Sequence, residues 1–300
     1  MAELLQGVFP PLVTPFRADG AIDFAAFEAN LETYASVGFS GALVLGSNGE
    51  AHVLEEAEKL ALIASARRHA PGTLLAGCGL ESTAATLALV KKAADAGADM
   101  ALLLPPHYFR ARIDDDLLRK HYETIAEASP IPILFYSVPA VTGLTLSPSL
   151  ARALAAHPRI AGVKESTGDM ALLGRLKAAV PDSFAIVCGS GPVYYPALCL
   201  GAKAGILAVA CCLPDATVAL HRAFAASDHT RARRLQEALA PIATAVTASH
   251  GVPALKAAMD LAGLRGGFAR APLAQVSPTV YEELRSLLVR TRETLASLSA

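Results

Sequence analysis

Short apolar runs alternate with longer amphipathic runs along most of the chain. The apolar runs are continuous rather than polar at every second position, which is typical of parallel strands covered on both faces. The amphipathic runs carry apolar residues at helical spacing, so each pair of runs predicts a strand followed by a helix. The predicted strands are Val8–Val13, Gly41–Leu45, Leu74–Cys78, Met100–Leu104, Pro132–Tyr136, Ile160–Glu165, Ala185–Cys188 and Gly205–Val209.

Capping signals mark the ends of the predicted helices. Asp23 is placed to cap a helix that ends at Gly38, and Ser147 stands before Pro148, an N-cap followed by proline at the first helical position. Further predicted helices are Leu54–Ala70 with a stop at Pro71, Thr83–Ala96, Asp114–Ala128, one that starts at Asp169 and stops at Pro181, Pro192–Leu200 and Pro214–Ala226. Eight strands and eight helices in alternation predict a (β/α)8 TIM barrel of the α/β class. A doubly wound open sheet is the alternative, but that fold does not require eight units.

The pattern changes after about Ser227. No further strand is predicted, and the remaining apolar periodicity predicts the three helices Thr230–Thr247, Val252–Ala262 and Thr279–Leu298. The chain is therefore predicted to consist of a barrel over residues 1–227 and a C-terminal helical region over residues 228–300.

Composition and charge narrow the classes of function. Hydrophobic residues make up 53% of the chain and charged residues 18%, which indicates a large core. A net charge of −1 provides no electrostatic attraction to nucleic acid or to an anionic membrane. The longest apolar run, around Ala204–Leu213, is too short to span a bilayer, and Met1–Gly7 lacks the basic and apolar segments of a signal peptide. We therefore expect a cytoplasmic protein that binds neither nucleic acid nor membrane.

The five cysteines show no C-x-x-C spacing. Four of them, Cys78, Cys188, Cys211 and Cys212, are predicted to lie in strands, so we expect reduced thiols in the core. No His/Cys pair has the spacing of zinc ligands, and no metal is predicted.

A lysine ends the sixth predicted strand. Lys164 follows a buried apolar segment, and in a barrel the carboxyl ends of the strands surround the active site. An apolar barrel mouth disfavours the charged form of a lysine, and a free amine can attack a ketone to form a Schiff base. The alternative is a lysine that extends from the strand end into solvent.

Three further segments end predicted strands with polar or aromatic residues. The loop Gly46–Glu50 (GSNGE) offers backbone N–H groups and the side chains of Ser47 and Asn48 to an anion, with Glu50 placed near the positive end of a helix dipole. Tyr136 ends strand five and is a competent proton carrier beside a cation. The segment Gly189–Gly191 has the composition of a phosphate-binding loop. An ordinary capped loop, a core tyrosine and a plain connection are the respective alternatives.

The joint occurrence of these features favours a common site. An anion loop after strand two, a tyrosine ending strand five and a lysine ending strand six converge at one mouth of a barrel, although they are far apart in sequence.

These motifs resemble the three signatures of the dihydrodipicolinate synthase / N-acetylneuraminate lyase family. The matching segments are GSNGE at Gly46–Glu50, YSVP at Tyr136–Pro139 and GVKES at Gly162–Ser166, and the similarity extends over the whole chain. The resemblance implies a Schiff-base enzyme of pyruvate chemistry without metal or organic cofactor, assembled as a homotetramer. It implies Lys164 as the Schiff-base lysine, Tyr136 as the proton carrier, and Ser47 and Asn48 as binders of the 2-oxo acid carboxylate.

Roles are also predicted for three other residues, the first of them from the resemblance. Tyr108, in the loop after strand four, matches the tyrosine that the family's synthases bring across a subunit interface. Ser166 is assigned to the C4 hydroxyl or the aldehyde of the substrate, and Leu207, on the eighth predicted strand, is assigned as a further substrate contact.

The predicted substrate depends on departures from the synthase pattern. The synthases have Tyr-Asn-x-Pro-x-Arg-Thr-Gly, in which the arginine holds a carboxylate of the second substrate, whereas Val141 stands at that position and Ser137 replaces the asparagine. The combination resembles the 4-hydroxy-2-oxoglutarate aldolases, so we expect cleavage of 4-hydroxy-2-oxoglutarate to pyruvate and glyoxylate. Arg110 and Arg112, in the loop after strand four, are candidates for the distal carboxylate.

Several alternatives remain open at this stage. They are a 2-keto-3-deoxy sugar-acid aldolase or dehydratase, a 4-hydroxy-tetrahydrodipicolinate synthase, a non-catalytic ligand-binding member of the fold and a phosphosugar barrel. The intact Lys164 and Tyr136 disfavour the non-catalytic alternative.

Overall fold

The computed structural model describes residues 4–70 and 72–298. Its eight parallel strands are adjacent in the order β1-β8-β7-β6-β5-β4-β3-β2. Two predictions fall partly or wholly outside the described residues. The first concerns the lack of a signal peptide, which includes residues 1–3, and the second is the helix stop at Pro71. The strands are β1 (Gly7–Phe9), β2 (Gly41–Val44), β3 (Thr73–Gly77), β4 (Met100–Leu103), β5 (Ile133–Ser137), β6 (Ile160–Glu165), β7 (Ala185–Cys188) and β8 (Ala204–Ile206).

The segment after β1 closes the sheet into a barrel. Pro11 forms a parallel bridge with Leu43 of β2, the Leu43 N–H donates to Pro10 O at 3.0 Å, and the Leu12 N–H donates to Leu43 O at 2.8 Å. The fold is a (β/α)8 TIM barrel, as predicted. The carboxyl ends of all eight strands therefore surround one mouth.

Two predicted strands extend well beyond the ends of the observed ones. The predicted strand Val8–Val13 ends at Phe9, because Pro10 and Pro11 have no N–H to donate to a ladder. The predicted strand Gly205–Val209 ends at Ile206, and the alanine-rich segment after it forms a short helix. Cys211 and Cys212 consequently lie in a helix and not in a strand, although both thiols are buried as expected.

The helices of the barrel follow the strands and begin at the predicted caps. Asp23 and Ser147 accept hydrogen bonds from the N–H groups of Ala26 and Leu150. Two short helices, α5 and α9, were not predicted. The helices are α1 (Phe24–Ala35), α2 (Glu56–His69), α3 (Thr83–Asp95), α4 (Asp115–Ala128), α5 (Pro139–Thr142), α6 (Pro148–Leu154), α7 (Met170–Ala179), α8 (Tyr194–Cys199), α9 (Val209–Cys212) and α10 (Pro214–Ala225).

Apolar residues on opposite faces of the strands fill two separate cores. Side chains such as Phe9, Leu134 and Ile206 form an inner cluster that fills the barrel. Neighbouring residues such as Phe135 and Val163 join the outer cluster, between the strands and the surrounding helices. Burial on both faces explains why the strands are continuous apolar runs.

A bulge in β6 sets the direction of the side chains at its carboxyl end. Ile133 pairs with Ile160, but the next residue of β5, Leu134, pairs with Gly162, so Ala161 is an extra residue in β6. Ala161 faces the inner cluster, whereas Val163 joins the outer one. With this offset Lys164 lies opposite Tyr136, which belongs to the inner cluster.

Three long helices follow the barrel. They are α11 (His229–Thr244), α12 (Gly251–Leu261) and α13 (Pro278–Ser297), close to the predicted bounds, and a π-helical turn over Ala245–Ser249 joins the first two. Among the described residues, no helix combines the length and apolar composition needed to cross a bilayer.

Candidate active site

Lys164 and Tyr136 form the centre of the candidate site. They are paired in register at the carboxyl ends of β6 and β5, and the Nζ of Lys164 lies 4.0 Å from the centroid of the Tyr136 ring. The Lys164 side chain is 4% exposed, so the expected alternative of a lysine extended into solvent is wrong. The contact places a buried amine against the electron-rich face of a tyrosine. The hydroxyl of that tyrosine can serve as a general acid or base for reactions at the amine.

Gly189, after β7, leaves the space that the lysine occupies. A Cβ atom at this position would lie 3.0 Å from Lys164 Cε and 1.8 Å from Ser166 Oγ. The Gly189 N–H donates to Glu165 O at 2.7 Å, so this group is engaged within the sheet and is not available to an anion. Gly189 is therefore explained by the clearance of these side chains, and its N–H does not support the phosphate-binding alternative.

A buried hydroxyl beside the pair, Ser166 Oγ just after β6, has no hydrogen-bond partner within the described chain. The Ser166 N–H donates to Ser137 O at 3.0 Å, which fixes Ser166 to the end of β5. The hydroxyl of Ser137 also has no partner among the described residues, but Ser137 pairs with Glu165 and alternates with Tyr136, so it lies on the other face of β5. Buried hydroxyls are nearly always hydrogen-bonded, so the free Ser166 hydroxyl indicates a ligand or water beside Lys164.

Glu165 lies on the opposite face of β6 from Lys164. Its carboxylate accepts a hydrogen bond from the Thr167 N–H at 2.8 Å. Burial raises the pKa of Glu165, because the surroundings disfavour its charged form. The Glu165 carboxylate lies on the helix-facing side of β6, so it does not form an ion pair with the amine of Lys164.

The loop after β2 has the backbone shape expected of an anion site. Ser47–Gly49 form one 3-10 turn, and the first N–H groups of such a turn have no partner within it. The Thr14 hydroxyl donates to Gly49 O at 2.7 Å and holds the loop against the segment after β1. Ser47 and Asn48 are half-buried at the barrel mouth, at the end of β2.

We expected Glu50 to lie near the positive end of a helix dipole, but it does not interact with one. Helix α2 begins only at Glu56, and Glu50 adopts a left-handed conformation with φ 54° that turns its side chain inward. Its carboxylate is fully buried, 2.5 Å from the Nζ of Lys256 on α12. That ammonium also donates to Thr14 O at 2.7 Å and Phe268 O at 2.6 Å. Burial lowers the pKa of Lys256, and the Glu50 carboxylate opposes this effect.

Arg270 is a second link between the C-terminal region and the anion loop. Its backbone N–H donates to Glu50 Oε2 at 2.9 Å, and its guanidinium binds both carboxylate oxygens of Glu58 at 2.6 and 2.8 Å. The hydrogen bond from Arg270 lowers the pKa of Glu58. The C-terminal region thus holds the anion loop from behind.

Tyr108 lies apart from this centre within one chain. It is 77% exposed and packs edge-to-face against Phe109, with ring centroids 5.0 Å apart. Its predicted catalytic role requires a second subunit, and it stays a prediction.

Leu207 is fully buried in the outer cluster, between the strands and the helices. This packing gives its side chain no contact with the barrel interior, where Ile206 lies. Its assignment as a substrate contact therefore stays a prediction without support from the packing.

Sequence reasoning missed Lys256, Gly189 and Thr14 as supports of the site. Lys256 had a detectable signal, because it stands among apolar residues in the helix Gly251–Leu261, which has Asp260 as its other charged residue. A lysine in such a helix is usually paired when buried. Gly189 was singled out only as part of a candidate phosphate-binding loop, and Thr14 carries no comparable signal.

Comparison with known proteins agrees with this arrangement. The model of the Dihydrodipicolinate synthetase family matches residues 4–291. The chain belongs to this family. Enzymes of the dihydrodipicolinate synthetase family are carbon–carbon lyases that act through a lysine Schiff base, and the chain is an enzyme of that class.

The chain is similar to other members of the family over nearly the whole length of both proteins. The chain is 33% identical to a 4-hydroxy-tetrahydrodipicolinate synthase of an Exiguobacterium species, over 97% of this chain and 99% of that protein. The solved synthase of Methylacidiphilum fumariolicum superposes with a TM-score of 0.92 at 29% identity, covering 98% of each chain. The dihydrodipicolinate synthase of Acinetobacter baumannii, solved with pyruvate, superposes at 0.90 with 30% identity, covering 96% of this chain and 99% of that one.

The names of these relatives correspond to a reaction that we treated as an alternative. They are synthases, whereas the substitutions around Tyr136 had predicted 4-hydroxy-2-oxoglutarate cleavage. The family and the class I pyruvate aldolase chemistry are established, and the comparisons do not support the predicted branch.

Proposed function

We propose that Lys164 forms a Schiff base with a 4-hydroxy-2-oxo acid, and that the enzyme cleaves this acid to pyruvate and an aldehyde. The observation that carries the proposal is the buried amine of Lys164, 4.0 Å from the Tyr136 ring centroid at the barrel mouth. The preferred substrate is 4-hydroxy-2-oxoglutarate, with glyoxylate as the aldehyde.

In the first step the Lys164 amine attacks the C2 ketone. The Tyr136 hydroxyl protonates the leaving oxygen, and the loss of water gives an iminium and a Tyr136 phenolate. The carboxylate beside the ketone binds Ser47, Asn48 and the free N–H groups of their turn, which aligns C2 with the amine. The Glu50–Lys256 pair and the Thr14 hydrogen bond keep this loop fixed while the substrate changes shape.

In the second step Tyr136 removes the proton of the C4 hydroxyl. The C3–C4 bond breaks, the aldehyde leaves, and the bonding electrons pass through C3 to the iminium nitrogen as an enamine. Protonation of C3 regenerates an iminium, and water releases pyruvate from Lys164. The free hydroxyl of Ser166 lies beside the Lys164 side chain and is available to the C4 oxygen.

Val141 supports cleavage over synthesis. It lies on α5, directly after β5, and is 53% exposed where the resemblance gives the synthases an arginine. A valine cannot form the bidentate contact through which that arginine holds the second substrate. Ser137 likewise stands where the synthases have an asparagine.

A second candidate is 4-hydroxy-tetrahydrodipicolinate synthase, which joins pyruvate to aspartate semialdehyde. The names of the relatives favour this candidate more directly than they favour cleavage. Both reactions pass through the same pyruvate enamine on Lys164, and they differ in the aldehyde and in whether the C–C bond is broken or formed.

The deciding experiment compares substrates on one purified enzyme. A lactate-dehydrogenase-coupled assay measures pyruvate released from 4-hydroxy-2-oxoglutarate, 2-keto-3-deoxygluconate and N-acetylneuraminate, and a reductase-coupled assay measures condensation of pyruvate with aspartate semialdehyde. We expect the highest kcat/KM for 4-hydroxy-2-oxoglutarate, with Lys164→Ala as the inactive control. Efficient condensation would establish the second candidate instead, and a higher kcat/KM for either sugar acid would reject both.

We also propose that the enzyme is a homotetramer in which Tyr108 lies at a subunit contact. Tyr108 and Phe109 form an exposed aromatic pair, and Val141 is a third exposed apolar residue after a neighbouring strand. Exposed apolar patches of this kind mark interaction surfaces.

A further inference from the structure

The proposed substrate carries two carboxylates, and the site described above accounts for only one. The anion loop after β2 takes the carboxylate next to the ketone. The resemblance gives the synthases an arginine for the second substrate at position 141, in the loop after β5, where Val141 supplies no charge. A distal carboxylate held at this loop would need a cation from another element.

Arg110 reaches the loop after β5 from the neighbouring strand. It begins the 3-10 turn Arg110–Arg112 in the loop after β4, and its side chain lies against Gly143, two residues beyond Val141. A Cβ atom on Gly143 would lie 2.7 Å from Arg110 Cδ and 3.1 Å from Nε. Glycine at position 143, which has φ +68°, thus provides the space in which the arginine packs.

The carboxylate of Glu81, from a third loop, fixes the backbone that leads to Arg110. The N–H groups of His107 and Tyr108 both donate to Glu81 Oε2 at 2.9 Å, and the His107 Nδ1 lies 3.0 Å from Glu81 Oε1. The Arg110 N–H then donates to His107 O at 3.1 Å. Arg110 therefore starts from an anchored backbone, which limits the positions that its guanidinium can take.

The guanidinium of Arg110 has no anionic partner among residues 4–70 and 72–298. The nearest acidic residues in sequence have other contacts. Asp114 accepts the Leu117 N–H at the start of α4, and Asp115 accepts the hydroxyls of Ser147 and Ser149. An ordinary surface arginine would show the same lack of a partner. Arg110 differs from such an arginine because it packs against the loop after β5, where the arginine of the synthases is missing.

We infer that Arg110 binds the distal carboxylate of a dicarboxylic 2-oxo acid and replaces, from the loop after β4, the charge absent at position 141. The inference rests on the proposed function, because a substrate without a second anionic group would not need this cation. A guanidinium binds a carboxylate through two parallel hydrogen bonds, which fixes the orientation of the substrate as well as its charge.

Competition for Lys164 tests this subsite without requiring cleavage. Pyruvate is trapped on Lys164 with borohydride, and 2-oxoglutarate or 2-oxopentanoate, which have equal chain lengths and differ in the distal carboxylate, are added as competitors. We expect the wild-type enzyme to prefer 2-oxoglutarate about tenfold or more, the effect of a charge-assisted hydrogen bond. Arg110→Gln abolishes the preference, Arg110→Lys retains part of it, and Arg112→Gln, in the same turn, retains all of it.

The outcomes separate this inference from the proposed function. A preference that survives Arg110→Gln, that disappears equally in Arg112→Gln, or that is absent from the wild-type enzyme overturns the subsite. If the preference depends on Arg110 but 4-hydroxy-2-oxoglutarate is not cleaved, the subsite stands and the proposed reaction fails. If cleavage proceeds with equal kcat/KM in wild type and Arg110→Gln, the reaction stands and the subsite fails.

Discussion

The ammonium of Lys256 lies 2.5 Å from the carboxylate of Glu50, and neither side chain is exposed to solvent. The first residue belongs to α12 of the C-terminal region, and the second follows the anion loop of the barrel. Because the ammonium also donates to the carbonyls of Thr14 and Phe268, it joins three separate segments behind the candidate site. The C-terminal helices are therefore part of the framework that positions the loop.

Removing one partner of this pair destabilises the protein strongly. We expect Lys256→Met to lower the free energy of unfolding by about 3–5 kcal/mol, because the Glu50 charge would remain buried without a counter-ion. The double variant Glu50→Gln/Lys256→Met removes that charge and should recover part of the loss. Equilibrium unfolding in urea measures both changes. A single variant as stable as wild type would show that water enters and solvates Glu50.

Lys164 is the residue that borohydride should label in the presence of pyruvate. Reduction of the iminium makes the bond permanent, so we expect irreversible inactivation and a pyruvate-derived mass on the peptide that contains Lys164. Lys256 serves as the internal control, since it is buried but paired with Glu50. Mass spectrometry that finds the label on another lysine, or no label, rejects the mechanism.

Tyr136→Phe should lower kcat by about 100-fold or more, the usual effect of losing a general acid or base. The ring is retained, so its packing in the inner cluster and its contact with Lys164 are preserved. Steady-state kinetics measures the change, and circular dichroism checks that the fold is intact. Unchanged turnover would remove Tyr136 from the proton transfers.

The Glu58–Arg270 pair should make stability depend on pH in the acid range. The hydrogen bond from Arg270 lowers the pKa of Glu58 in the folded state below its ordinary value of 4.5. Its contribution is therefore fully present above pH 4.5 and is lost as the pH falls through the folded-state pKa. We expect Glu58→Gln to lower Tm near neutral pH and the difference from wild type to shrink at acid pH.

The matched control for this prediction is Glu56→Gln, on the same helix. Glu56 pairs with Lys92 at an exposed position, where an ion pair contributes little to stability. A Tm difference for Glu58→Gln that stays constant from neutral to acid pH would contradict the assignment of the shift to this pair.

The exposed aromatic pair predicts an oligomer that can be disrupted. We expect light scattering to give the mass of a tetramer for the wild-type protein and a smaller mass for Tyr108→Glu/Phe109→Glu, since a buried charge opposes association. Leu4→Glu is the control, because Leu4 is exposed ahead of β1, at the opposite end of the barrel. A wild-type monomer at working concentration would reject the prediction.

The barrel and the positions of its strands were predictable, because burial on both faces leaves continuous apolar runs in the sequence. The ends of β1 and β8 were less so, since Pro10, Pro11 and the segment after Ile206 remain apolar while leaving the ladder. Apolar composition records burial, and it does not record where hydrogen bonding between strands stops.

The meeting of Lys164 and Tyr136 at the barrel mouth was also predictable, but the residues that support the neighbouring loop were not. Lys164 and Tyr136 were identified because each ends an apolar strand with a reactive side chain. The partner of Glu50 was not identified, because Lys256 lies in a distant helix and local spacing gives no indication of such pairs. The packing of Arg110 against Gly143, on which the proposed subsite rests, follows from tertiary structure and leaves no signal in the sequence.

The extra residue Ala161 makes the active site tolerant of the loss of one residue from β6. Deleting one residue between Ile160 and Val163 would leave these two residues on the same face in a regular strand, so Lys164 would remain opposite Tyr136 and face the mouth. Removing a second residue from this stretch would turn Lys164 toward the helices and bring Glu165 into the mouth, because successive side chains of a strand point to opposite faces. A first deletion in β6 is therefore neutral for the direction of the amine, whereas a second would exchange the nucleophile for a carboxylate.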